Sequence, residues 1–131
     1  MSTALNAAVL IVDSNPAAAE SLADFLRKEG HTVRVATTGV GAVAALDGWL
    51  PDAAVLDLDA PDGGGVAAAE TLAVRDRRPL LIGLLRPGAA PTIRREQQAL
   101  FDNLWTKAVS PTVLAERIAG YVAKKTVVSE G

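Results

Sequence analysis

Asp57 and Asp59 stand one residue apart at the end of an apolar run, and "VLDLDAPDGGG" carries the chain from them into a proline and three consecutive glycines. A single acid at a strand end could merely cap the next helix. Two acids followed by a loosened backbone point instead to a cation or a phosphoryl group. Crowded carboxylates repel one another unless a hard cation relieves them. Mg²⁺ suits such a place, because it takes one or two carboxylates, keeps several waters and bridges to phosphate oxygens. Asp57 could then attack a phosphoryl donor and form an aspartyl phosphate. Lys107 would place a compact positive charge on the incoming oxygens. The glycines at 63–65 would let the loop adjust as that dianionic group arrives.

These residues need a scaffold that brings them together, and the alternation of short apolar runs with amphipathic ones supplies it. "AVLIVD" (8–13) reads as a buried parallel strand that ends on Asp13. A helix is expected over 16–29, with Ala18, Ala19, Leu22, Phe25 and Leu26 on one face. Asn15 and Pro16 form its cap and first turn, and Gly30 stops it. "TVRVAT" (32–37) alternates as an edge strand does, and a short Ala-rich helix over 39–50 is ended by Pro51. "AAVLDL" (53–58) and "PLLIGLL" (79–85) are the third and fourth strands, separated by a weakly amphipathic helix over 65–75. A polar helix follows over 90–101, then "LWTKAV" (104–109) as the fifth strand. Ser110 and Pro111 cap a last helix bearing Leu114, Ile118, Tyr121 and Val122 on one face.

Five βα units imply an α/β fold, a parallel sheet with helices on both faces. Ligands of open sheets of this kind sit beyond the carboxyl ends of the strands. Asp13 and Ser14, then Asp57 and Asp59, then Leu84, then Lys107 all fall at those ends. That convergence is the functional signal.

Composition narrows the alternatives. With 131 residues, half of them hydrophobic, the chain has the size and make-up of one globular domain. A net charge of −2 provides no basic stripe for direct binding of nucleic acid. Cysteine is absent and His31 is the one histidine, which excludes zinc sites built from those ligands and fits a cytoplasmic location. No apolar run approaches the about 18 residues of a membrane span. The closing "KKTVVSEG" is polar and reads as a tail or linker over 124–131.

From residue 8 to about 123 the chain resembles the receiver domains of two-component response regulators. "VLIVDSNP" is similar to that family's acidic opening, "PDAAVLDLDAPDGGG" to its phosphoacceptor segment and "LWTKAVSP" to its lysine segment. The resemblance implies a receiver domain over 1–123 with a flavodoxin-like (βα)5 three-layer sandwich and strand order 2-1-3-4-5. It implies Asp57 as phosphoacceptor, Lys107 as the phosphate-contacting lysine, and a Mg²⁺ site drawn from Asp13, Asp57 and Asp59. Position 59 normally gives the metal a backbone carbonyl. The expected partners are a sensor histidine kinase or phosphotransfer protein, and a downstream effector protein or an effector domain outside this chain. The domain would accept a phosphoryl group without being an enzyme.

Departures from the family pattern qualify this reading. The second acid of the acidic pair is Ser14, so metal binding is expected to be weakened. Leu84 replaces the usual Thr or Ser of the fourth strand, Leu104 the switch aromatic, Ala108 the proline after the lysine, and Gly64 a loop acid. A hydrogen bond to a charged group contributes about 1.5–3 kcal/mol. Typical allosteric couplings total about 1–3 kcal/mol, so losing the strand-4 hydroxyl removes a comparable amount. Two further readings stay open. One is a pseudo-receiver that binds proteins without phosphorylation, through the fourth and fifth helices and the strand between them. The other takes "DLD" as the Asp-x-Asp pair of haloacid-dehalogenase-type phosphohydrolases, although those carry the motif on the first strand and need a further acidic cluster downstream.

Overall fold

The computed structural model describes residues 6–88 and 93–130, with the side chains of 125–130 excepted. Five strands alternate with five helices: β1 (Ala8–Val12), α1 (Pro16–Lys28), β2 (Thr32–Ala36), α2 (Gly39–Ala45), β3 (Ala53–Asp57), α3 (Gly64–Ala73), β4 (Leu80–Leu85), α4 (Arg95–Gln98), β5 (Asn103–Thr106) and α5 (Pro111–Glu130). All four ladders are parallel, and the sheet order is β2-β1-β3-β4-β5. The expected order and the flavodoxin-like layering are both found.

The period-2 alternation of side chains divides the sheet into two cores. Val9, Ile11, Val55, Ile82 and Leu84 pack with Leu26 of α1 and Ile118 of α5. Leu10, Val12, Leu56 and Leu81 pack on the other face with Ala42 of α2 and Leu72 of α3. Fully burying one such aliphatic side chain contributes about 1.5–3 kcal/mol, which is why both faces of the sheet must be covered. Extending the first set by one step of two places Asp13 and Asp57 on the α1/α5 face, with Leu84 between β3 and β5. Asp57 pairs in register with Leu84, and Leu84 with Trp105, the residue two before Lys107.

Several boundaries differ from those the sequence suggested. α2 stops at Ala45, well before Pro51, because the chain turns at Gly48 with φ of 67°, a conformation that favours glycine. β5 ends at Thr106, leaving Lys107 in the turn that follows. The fourth helix is reduced to Arg95–Gln98, none of it buried; part of its expected span, 89–92, lies outside the described residues. The backbone of 124–130, read as a tail, continues α5.

His31 is buried between α1 and β2 and accepts a hydrogen bond from Ala7 N on Nδ1 at 3.1 Å. Burial lowers its pKa below the ordinary 6.5, only partly offset by the charge of Glu29. The folded protein therefore binds this proton less readily than the unfolded chain does. Its contribution to stability is complete above pH 6.5 and is lost as pH falls through the depressed folded value. Urea midpoints should accordingly drop between pH 7.5 and 5.5, and His31→Phe should flatten that part of the profile.

Candidate functional site

Asp13 leaves β1 in the turn before α1. Its Oδ1 accepts Asn15 N at 2.9 Å, while Asn15 Oδ1 caps the helix by accepting Ala17 N at 3.0 Å and Ala18 N at 3.2 Å. A carboxylate followed by a capping Asn and Pro16 at the first helical position thus holds Asp13 at the helix entrance. Asp57 is the last residue of β3 and is only 2% exposed. Its Oδ1 accepts Asp59 N at 2.9 Å. Lys107 is held by its backbone, since its amide donates to Leu85 O at 2.8 Å immediately beyond the end of β5.

The ammonium joins the two acids. Lys107 Nζ lies 3.1 Å from Asp13 Oδ1 and 3.2 Å from Asp57 Oδ2. Ser14 Oγ donates to the same Asp57 oxygen at 3.3 Å. Burial by itself would lower the Lys107 pKa, but the hydrogen bonds and charges of Asp13 and Asp57 hold it above its ordinary 10.5. The amine is thus a fixed cation at neutral pH. It is reached from a groove of about 390 Å³ between α1 and α5, floored by Leu22, Leu84 and Leu114.

Asp59, expected to give a metal its backbone carbonyl, has its side chain engaged beside the site: its Oδ2 accepts the amide of Arg86 just beyond β4. Among the described residues, no group of three or more His, Cys, Asp or Glu side chains is gathered that could hold a metal ion. Two carboxylates remain, and they suit a hard cation that keeps most of its water. The donor set fits Mg²⁺ through Asp13 and Asp57, with a hydroxyl where a third acid would strengthen it.

The departures from the family pattern have visible consequences. Leu84 is buried in the core beside the site and presents hydrocarbon toward Lys107 and Asp13. Leu104 is partly exposed, and with Leu58 and Phe101 it fills the space over Gly83.

Sequence reasoning missed Asp62. Its Oδ1 accepts Gly64 N at 2.9 Å and its Oδ2 accepts Gly39 N at 2.7 Å, fastening the β3–α3 loop to the start of α2. Those two amides, Gly39 first, lower its pKa below the ordinary carboxylate value. The dipeptide Asp62-Gly63 was a legible sign of a local turn, with Gly63 at φ of 68°. The partner at Gly39 was not legible, because it comes from a distant loop.

A family model described as the response regulator receiver domain matches residues 9–119. The sensory transduction protein RegX3 of Mycobacterium tuberculosis (strain ATCC 25618 / H37Rv) is 36% identical over 110 residues, covering 84% of this chain and 48% of RegX3. The sensor protein TorS of Escherichia coli is 28% identical over 115 residues, covering 87% of this chain and 13% of TorS. The chain thus spans about half the length of one relative and a small part of the other. A CheY-like response regulator receiver domain protein from Methanospirillum hungatei JF-1 superposes with a TM-score of 0.76 at 25% identity, over 95% of this chain and 98% of that one.

Proposed function

Since the chain belongs to the response regulator receiver domain family of two-component systems, we propose that Asp57 is its phosphoacceptor and Lys107 the residue that binds the incoming phosphoryl oxygens. The observation that carries this reading is the single ammonium bridging Asp13 and Asp57 at 3.1 and 3.2 Å. Receivers work with sensor kinases and effector domains. The donor proposed here is the phosphohistidine of a sensor kinase or phosphotransfer protein in the cytoplasm, and the output passes to a separate effector protein or domain. Among the described residues, no helix is long and apolar enough to cross a membrane.

In the transfer, a carboxylate oxygen of Asp57 forms a bond to phosphorus as the bond from phosphorus to the donor imidazole nitrogen breaks. The imidazole keeps the electron pair and is neutralised by a proton from solvent. Lys107 opposes the charge spread over the phosphoryl oxygens, and burial of Asp57 strengthens that attraction. Mg²⁺ held by Asp13 and Asp57 would supply further charge neutralisation when bound. The domain serves as an acceptor and does not turn over a substrate of its own.

The test is intact-mass measurement after incubation with a small phosphodonor and Mg²⁺. Wild type is expected to gain one phosphoryl group and Asp57→Ala none. A wild type that stays unmodified at every Mg²⁺ concentration would reject the reading.

A second reading, an interaction module independent of phosphorylation, is favoured by Leu84 and Leu104. A buried hydrocarbon where the family places a hydroxyl cannot draw the β4 end toward a phosphoryl group.

A further inference from the structure

We propose that Ser14 is a phosphoryl-binding residue, whose hydroxyl supplies from the β1 side the hydrogen bond that Leu84 cannot supply from β4. The inference rests on Asp57 being the phosphoacceptor. Ser14 Oγ and Lys107 Nζ converge on one oxygen, Asp57 Oδ2, at 3.3 and 3.2 Å, while Oδ1 is engaged by the Asp59 amide. Ser14 is exposed and Asp57 is 2% exposed, so the hydroxyl stands between the carboxylate and the solvent from which a donor arrives.

The chemistry of a hydroxyl suits this place. Its proton rotates freely among acceptors, and it carries no charge. In the resting site it donates to the carboxylate. Once phosphorus is bonded to that carboxylate, the ester oxygen becomes a poor acceptor and the phosphoryl oxygens become strong ones. The Ser14 proton then turns to them without any backbone movement.

Charge points the same way. Asp13 and Asp57 share one ammonium, which leaves the cluster with a single negative charge. An acid at position 14 would add another and repel a dianion unless a cation intervened. Ser14 adds a donor and no repulsion. On the opposite wall Leu84, paired in register with Asp57, is buried hydrocarbon. The neutral donor of this site thus stands at the β1 end and not at the β4 end.

Beryllium fluoride tests this directly, because it binds a carboxylate oxygen as a tetrahedral unit and presents fluorines where phosphoryl oxygens would lie. Its affinity is read by fluorine NMR on the full chain at fixed Mg²⁺, with melting temperature as the folding control. Ser14→Ala should weaken binding at least about tenfold, the loss expected for a hydrogen bond to a charged group, with melting unchanged. Ser14→Thr keeps a hydroxyl and should stay within about threefold of wild type, a margin well inside that tenfold loss. Wild-type affinity in Ser14→Ala would overturn the role of the hydroxyl while leaving Asp57 as acceptor. An equal loss in both variants would assign the effect to shape and overturn it too. A wild type that binds no beryllium fluoride at any Mg²⁺ concentration would overturn this inference together with the reading beneath it.

Discussion

Lys107→Met is expected to slow phosphoryl uptake at Asp57 by about 10²–10³-fold, the usual loss when a charge-stabilising donor is removed from an enclosed site. The substitution keeps the length and the apolar stem of the side chain. It removes the group that reaches both acids, and Asp57, 2% exposed, has little access to water as a substitute. Breaking a fully buried pair from one side costs about 3–5 kcal/mol. The lysine side chain here is 29% exposed, so about 2–3 kcal/mol is the appropriate expectation. Time-resolved intact-mass measurement follows the first effect and chemical denaturation the second. Uptake at the wild-type rate would remove Lys107 from the mechanism.

Gly65→Ala should be strongly destabilising. A Cβ at this position would lie 2.2 Å from the backbone oxygen of Asp57 and 3.0 Å from its carbonyl carbon. Neither atom belongs to a flexible side chain, so relief requires α3 or the end of β3 to shift. Overpacking typically costs about 1–3 kcal/mol, and a clash with backbone this close puts Gly65 at about 3 kcal/mol. For a chain of this size that corresponds to a fall in melting temperature of about 10 °C. The atom struck is the carbonyl of Asp57, the proposed acceptor, so phosphoryl uptake by the folded fraction should fall as well. Calorimetry and intact mass on one preparation separate the two effects; an unchanged melting temperature would show that the helix start can retreat freely.

The strands and the assembled trio of Asp13, Asp57 and Lys107 were legible for one reason. In a doubly covered parallel sheet the central strands are continuous apolar runs, and the polar residues that follow the strands mark the rim where ligands bind. "AVLIVD" and "AAVLD" announce their ends in this way. The fourth helix was not legible to the same degree. "RREQQ" has no apolar face, and Ile93, Leu100 and Phe101 pack into the core on either side of the helix. The second helix was overextended because Pro51 is a louder stop than Gly48, although Gly48 is where the chain turns. The resemblance placed Asp59 at the metal through its backbone carbonyl and left the side chain open. Its actual partner, the amide of Arg86, belongs to another strand end, and a backbone donor leaves no mark in the sequence.

Asp62 grips one amide on each of two helices, so the loop that follows Asp57 is tethered at its far end as well as at its root. Such a loop cannot swing as a free hinge. Any excursion near the acceptor must either unpair two amides together or haul the first turn of α2 along as a lever. The short, glycine-rich second helix is thereby geared to the chemistry at the sheet's rim.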